Sequence, residues 1–168
     1  HETPAQNLIR VFMLQDRLKA EGDKRLFSPR HVHVVGGGVM GCDIAAWCAL
    51  RGFNVSLQDQ APERIAPAMA RAFKLYRRKL KKPAMITAAM DRLMPDHAGI
   101  GVGKADIVIE AIFEDAEVKR SLYKEIEPRM KADAILATNT SSIPLEELTP
   151  ALQQPERLVG LHFFNPVA

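Results

Sequence analysis

His31-Val32-His33-Val34-Val35-Gly36-Gly37-Gly38-Val39-Met40-Gly41 is the stretch on which the fold turns. Its first five residues form a short β-rich run that stops at glycine. From Val39 to Arg51 the composition is helical, and Gly52 closes the segment as a C-cap. Between strand and helix, Gly36, Gly38 and Gly41 spell G-x-G-x-x-G. Glycine-rich turns are common, so the pattern gains weight only from its place between those two elements. The first glycine permits a tight turn, the second lets backbone approach a pyrophosphate, and the third lets helix and strand pack closely. A pyrophosphate is then expected on the N–H groups of Val39 and Met40, where the helix dipole favours anions.

Working outward, Asn54 to Leu57 reads as a second strand, and Asp59 follows it 18 residues after Gly41. A carboxylate there can accept hydrogen bonds from the ribose hydroxyls of an adenosine. It would repel a 2′-phosphate, which favours NAD over NADP, and the first arginine after it is Arg64. FAD-binding proteins share this fingerprint, and a glycine turn beside a surface aspartate is the plainer alternative.

Further along, Pro62 to Lys82 reads as one long helix with Met69, Phe73, Tyr76 and Leu80 as its apolar stripe. A second helix runs from about Ala84 to Met94, ahead of a loop with Gly99 and Gly103. Asp106 to Glu110 is an apolar strand, Ala116 to Met130 a helix, and Ala134 to Ala137 a strand. Pro144 to Leu148 reads as a short helix capped by Ser142, and Leu158 to Leu161 as the last strand. Strands alternating with helices predict an α/β, Rossmann-type doubly wound parallel sheet. Ahead of it, Pro4 to Ala20 reads as a helix with Leu8, Val11, Phe12 and Leu18 on one arc. The division is then 1–30, a linker helix with its connecting segment, and 31–168, a dinucleotide-binding domain.

The bulk numbers agree with one domain: 168 residues, 47% hydrophobic and 26% charged, with a net charge of +3. Cys42 and Cys48 lie six residues apart in one helix, a turn of about 600°, so they face different ways and do not bridge. Neither has metal-ligand or redox spacing; no metal is expected, and free thiols suit a reducing compartment. No stretch approaches the length of a membrane span. The chain opens on polar residues without an initiator Met, as expected of an excised segment.

Three later stretches go beyond a dinucleotide site: Ile109-Glu110-Ala111-Ile112-Phe113-Glu114, Thr138-Asn139-Thr140-Ser141-Ser142 and His162-Phe163-Phe164-Asn165-Pro166. With the glycine loop, in this order and at these separations, they resemble the NAD-dependent 3-hydroxyacyl-CoA dehydrogenases of fatty-acid β-oxidation, from about His31 to the end. Asn7-Leu8-Ile9-Arg10-Val11-Phe12 is similar to the linker that joins an enoyl-CoA hydratase domain to the dehydrogenase in multifunctional β-oxidation enzymes. The implied compartment is the bacterial cytoplasm, or mitochondrion or peroxisome in a eukaryote.

The resemblance implies roles. His162 would be the general base toward the substrate hydroxyl, and Ser141 would hydrogen-bond the reacting oxygen. Asn139 and Asn165 would lie near the nicotinamide or substrate, and Glu114 with Lys119 would bind the nicotinamide half. Each has a bland counterpart: His162 as a polar strand end, Ser141 and Ser142 as caps, Glu114 and Lys119 as a surface ion pair. His31, His33 and His97 are expected to be structural.

On the long helix, Arg71, Lys74, Arg78 and Lys82 make a basic stripe. It is either a solvated face or a cradle for CoA phosphates, with Lys81 and Lys82 the contacts the family position implies; no nucleic-acid motif accompanies it. In the family a glutamate beyond the last motif orients the histidine, an asparagine further on enters the site, and a helical C-terminal domain grips the acyl chain. None of these is expected in this chain, which should therefore bind NAD but turn over substrate poorly. The competing readings are a non-catalytic NAD-binding module and a related NAD-dependent hydroxy-acid dehydrogenase.

Overall fold

The computed structural model describes Arg10, residues 12–14, Arg17, residues 27–164 and Val167. Among the described residues, six strands form one sheet in the order β3-β2-β1-β4-β5-β6. They are β1 His31–Val35, β2 Asn54–Gln58, β3 Leu93–Pro95, β4 Ile107–Glu110, β5 Ile135–Thr138 and β6 Leu158–Gly160. Every pairing is parallel. The helices are α1 Val39–Leu50, α2 Ile65–Lys79, α3 Pro83–Asp91, α4 Ala116–Ile126 and α5 Leu145–Leu148. This is the doubly wound order that the sequence predicts, and the direction of winding reverses between β1 and β4. A crevice must open there, above the carboxyl ends of the two strands.

Both faces of the sheet are covered, which is why β1 and β4 are nearly continuous apolar runs. On one face Val32 and Val34 pack with Ala45, Ala46, Ala72 and Tyr76; on the other, Val35 and Val108 pack with Leu122, Tyr123 and Ile126. The alanines at 45, 46 and 49 bring α1 close to the strands, and Tyr76 crosses from α2 to donate its hydroxyl to Ala46 O at 2.9 Å. In α4 the buried positions are Lys119, Leu122, Tyr123 and Ile126, a helical stripe that contains a lysine.

Several boundaries differ from the sequence reading. The long helix is a 3₁₀ turn, Pro62–Arg64, followed by α2, and it stops at Lys79. Leu80 and Lys82 are extended, with φ −110 ψ 132 and φ −102 ψ 128. Pro83 explains this, because its ring disfavours helical backbone at the residue before it. Lys82 therefore leaves the basic stripe, and Arg71 is engaged by Asp43 at 2.6 Å. The buried face of α2 is Ile65, Ala68, Ala72 and Tyr76. Phe73 is instead 43% exposed, with the Arg77 guanidinium 6.0 Å from its ring centre.

The helix expected to reach Met94 ends at Asp91, and Leu93–Pro95 joins the sheet beside β2. Three residues are too few to show a period, and a closing proline is tolerated on this edge strand. Ser142 does not cap the short helix, whose N-cap is Pro144; Thr140 Oγ1 accepts from Ile143 N at 3.0 Å instead. Arg10, Phe12, Met13, Leu14 and Arg17 are helical and exposed, whereas Leu8, Val11 and Leu18 lie outside the described residues. Cys42 and Cys48 are free thiols, the first buried and the second half-buried.

Of the histidines expected to be structural, His31 and His33 lie in β1 and His97 follows β3. His33 is fully buried, its Nδ1 2.7 Å from Ser56 Oγ and its Nε2 2.9 Å from Gln58 Oε1. His31 Nε2 reaches the same Ser56 hydroxyl at 2.8 Å, and His97 Nδ1 lies 3.1 Å from Asp59 O. Burial holds the pKa values of His33 and His31 below the ordinary histidine value.

Candidate functional site

A cavity of about 950 Å³ opens where the winding reverses. One end is walled by the glycine loop and the tip of β2, the other by the segments after β4, β5 and β6. The first wall is made chiefly of backbone. Gly36 has φ +115, and a Cβ there would lie 2.4 Å from Ala111 O. A Cβ at Gly41 would fall 1.8 Å from Gly36 O, so α1 can approach the turn only with hydrogen at that position. At Gly38 a Cβ would meet nothing within 4 Å, because that face looks into open space. The three glycines thus take the three roles read from their spacing: strained turn, open approach and close packing.

Gly38 is also the N-cap of α1 and offers no side chain to the first turn. The N–H groups at Val39 and Met40 are left for an anion. Asp59, at the tip of β2, is buried. Its Oδ2 accepts from Gly37 N at 2.6 Å and its Oδ1 from Ala61 N at 2.8 Å. One backbone donor per oxygen leaves further lone pairs for ribose hydroxyls. The Arg64 guanidinium stands 3.8 Å from Oδ2, a neighbour that the five-residue separation in sequence did not bring forward.

The opposite wall is built from side chains. Glu114 Oε1 gathers the loop after β5: Thr140 Oγ1 donates at 2.6 Å, Ser141 N at 2.7 Å, Ser142 N at 3.1 Å, and the Ser141 and Ser142 hydroxyls at 3.3 and 3.2 Å. Burial pulls the Glu114 carboxyl up, yet the donors from Thr140 and Ser141 with the Lys119 ammonium outweigh it and hold the pKa at about 2. Asn139 Oδ1 accepts from Phe163 N at 2.8 Å, tying the loop after β6 to the loop after β5. His162 is exposed, its ring edge-on to Phe164 with centroids 4.8 Å apart.

Of the residues singled out in sequence, Gly36, Gly38, Val39, Met40 and Asp59 line the cavity from one end, and Glu114, Asn139, Ser141 and His162 from the other. Gly41 lies packed beneath the first wall. Lys119 does not line the cavity: it is 1% exposed, with Nζ 2.7 Å from Glu110 Oε1 and 3.2 Å from Glu114 Oε2. The alternative of a surface ion pair with Glu114 therefore falls. Lys81 and Lys82 stand exposed in the corner between α2 and α3, away from the cavity. Asn165 lies outside the described residues.

Sequence reasoning passed over Glu110, which is 0% exposed and takes four side-chain-directed donors: Ile112 N, Lys119 Nζ, Tyr123 OH and Thr138 Oγ1. Two signals pointed to it: a carboxylate ending an apolar strand, and a lysine on the buried stripe of the next helix.

The family model for the 3-hydroxyacyl-CoA dehydrogenase NAD-binding domain matches residues 31–168. The chain belongs to that family. Its cofactor is NAD, and an open Gly38, an uncapped helix start and a buried carboxylate fit that dinucleotide. Among relatives, the fatty acid oxidation complex subunit alpha of Pseudomonas entomophila (strain L48) is 36% identical over 97% of this chain. The likeness thus extends into the segment ahead of residue 31. The chain spans only 24% of that relative.

Solved structures share the fold. M. tuberculosis FadB2 superposes with a TM-score of 0.79 at 34% identity, over 84% of this chain and 51% of its own. The 3-hydroxybutyryl-CoA dehydrogenase of Escherichia coli K12 gives 0.78 at 32% identity, over 84% and 31%. Among the described residues no helix is long and apolar enough to cross a membrane, and no group of three potential metal ligands occurs.

Proposed function

We propose that this chain holds the cofactor and the reacting end of the substrate in an enzyme that oxidises L-3-hydroxyacyl-CoA to 3-ketoacyl-CoA. The observation that carries the reading is convergence: His162, Ser141 and Asn139, from two different loops, line the same cavity as the glycine turn and Asp59. Bound in the cavity, NAD⁺ supplies the acceptor for the hydride that leaves C3. His162 takes the proton of the substrate hydroxyl as general base. Ser141 Oγ hydrogen-bonds the reacting oxygen, and Asn139 and Asn165 offer neutral contacts nearby. Glu114 fixes the 140–142 turn and flanks the nicotinamide half, with Lys119 behind it.

Lys81 and Lys82 meet the CoA phosphates, which their exposure allows. The segment ahead of residue 31 links to an enoyl-CoA hydratase domain; its likeness to a fatty acid oxidation complex subunit supports this. Free thiols suit a cytoplasmic setting. The edge contact of His162 with Phe164 fixes neither the tautomer nor the direction of the ring. The chain by itself is therefore expected to bind NADH but to reduce acetoacetyl-CoA slowly.

The test is the whole parent protein assayed with acetoacetyl-CoA and NADH by loss of NADH absorbance. His162→Gln is expected to lower kcat by about 10²–10⁴ while NADH affinity holds. A parent without this activity, or a variant with an unchanged rate, sinks the reading.

A further inference from the structure

We propose that Glu110 is a positioning residue: without touching the dinucleotide, it sets how tightly the nicotinamide half is held. The inference rests on the assignment of Glu114 and the 140–142 turn to that half. Glu110 ends β4, and its carboxylate is sealed from solvent. Oε1 accepts from Ile112 N at 2.9 Å and Lys119 Nζ at 2.7 Å; Oε2 accepts from Tyr123 OH at 2.9 Å and Thr138 Oγ1 at 2.7 Å. The donors come from the loop after β4, from α4 and from β5, so one side chain ties together the three elements that frame this end of the cavity. Its carbonyl also accepts from Asn139 N at 2.8 Å, at the root of the 140–142 turn.

Packing alone does not call for a carboxylate here. Apolar residues of similar volume at both positions can replace a buried ion pair at little cost, or even with a gain in stability, whereas removing one partner strands the other charge. What an apolar residue cannot do is aim Lys119. Held by Glu110, its Nζ presents a charge 3.2 Å from Glu114 Oε2. That leaves Glu114 Oε1 to the Thr140, Ser141 and Ser142 donors. The line of contacts thus runs from Glu110 through Lys119 and Glu114 to the turn that carries Ser141, its links charge-assisted hydrogen bonds and one ion pair.

The test compares two ligands that share the adenosine half. NADH and ADP-ribose are titrated against this chain and its Glu110→Gln variant, with thermal melting run alongside. Glutamine keeps the shape but removes the charge that orients Lys119. NADH binding is expected to weaken about tenfold, while ADP-ribose binding moves less than about twofold. Equal losses for both ligands would reduce Glu110 to a structural role and overturn the proposal, as would no loss for either. If Glu110→Gln does not fold, Tyr123→Phe, which removes one neutral donor from Oε2, is expected to give the same selective loss at smaller size; equal losses there overturn it. Wild-type chain that binds ADP-ribose no more weakly than NADH would remove the underlying nicotinamide assignment instead.

Discussion

The two ends of the cavity are made of different materials. The end proposed for the adenosine is chiefly backbone: a glycine at positive φ and a helix start without a cap, beside an Asp59 carboxylate already held by two N–H groups. The end proposed for the nicotinamide is a relay of side chains, with Glu110, Lys119 and Glu114 standing behind the Thr140–Ser142 turn. Its outer residues lie open, Phe113 at 78% exposure and Phe164 at 77%. Backbone geometry is over-determined by its neighbours and tolerates little change. A relay of charges can be altered in one link and leave the rest standing.

The harshest way to break the comparison is Gly41→Ala. A methyl group 1.8 Å from Gly36 O cannot be accommodated without moving α1. A loss of roughly 3 kcal/mol or more is expected in denaturant unfolding, with NADH and ADP-ribose binding falling together. Wild-type stability in that variant would show that the first wall is softer than its geometry implies.

Asp59→Ser sharpens the contrast at the same end. Wild-type chain should prefer NADH to NADPH in a fluorescence titration. Removing the carboxylate leaves Arg64, now 3.8 Å from Oδ2, beside the ribose position and available to a 2′-phosphate. The preference should then shift toward NADPH by about ten- to a hundredfold, and the double change with Arg64→Ala should cancel most of the gain. Equal affinities in the wild type would refute the role given to Asp59.

A smaller effect is expected from Glu114→Gln, about tenfold on NADH and little on ADP-ribose. The sign of its pH dependence follows from the lowered pKa. The folded carboxyl titrates at about 2 against an ordinary 4.5, so its contribution is fully present above 4.5 and is lost as pH falls toward 2. Thermal stability should therefore fall over that interval more in the wild type than in the variant, while the folded chain keeps its selectivity for NADH over ADP-ribose until pH nears 2.

The smallest shift belongs to His33. Burial lowers its pKa, so the unfolded chain binds the extra proton and stability rises with pH up to the ordinary value of 6.5. Melting between pH 5 and 7.5 should therefore climb, and His33→Gln should flatten the climb by about 1 kcal/mol or less. A slope unaltered by that change would place the titrating group elsewhere.

The same division governs what the sequence reveals. The glycine loop, Asp59 and five of the six strands could be read directly, because a turn that needs glycine and a buried strand leave marks on consecutive residues. β3 could not, since Leu93-Met94-Pro95 is shorter than any period and adjoins a helix of similar composition. The overrun of α2 came from giving Lys81 and Lys82 to a helical pattern when Pro83 had already forbidden it. Lys119 was read with Glu114, and its nearer carboxylate, Glu110, lies nine residues away on another element. Side-chain relays join residues across elements, and only their odd placement, a lysine among leucine, tyrosine and isoleucine, betrays them.

The burial of Lys119 makes that side chain a clock. An amine-acylating reagent in water meets Lys81 and Lys82 at once, but it reaches Lys119 only when α4 lifts from the sheet or Glu114 swings aside. The rate at which that one lysine is labelled therefore counts the openings of the nicotinamide end, and a dinucleotide seated there should slow it.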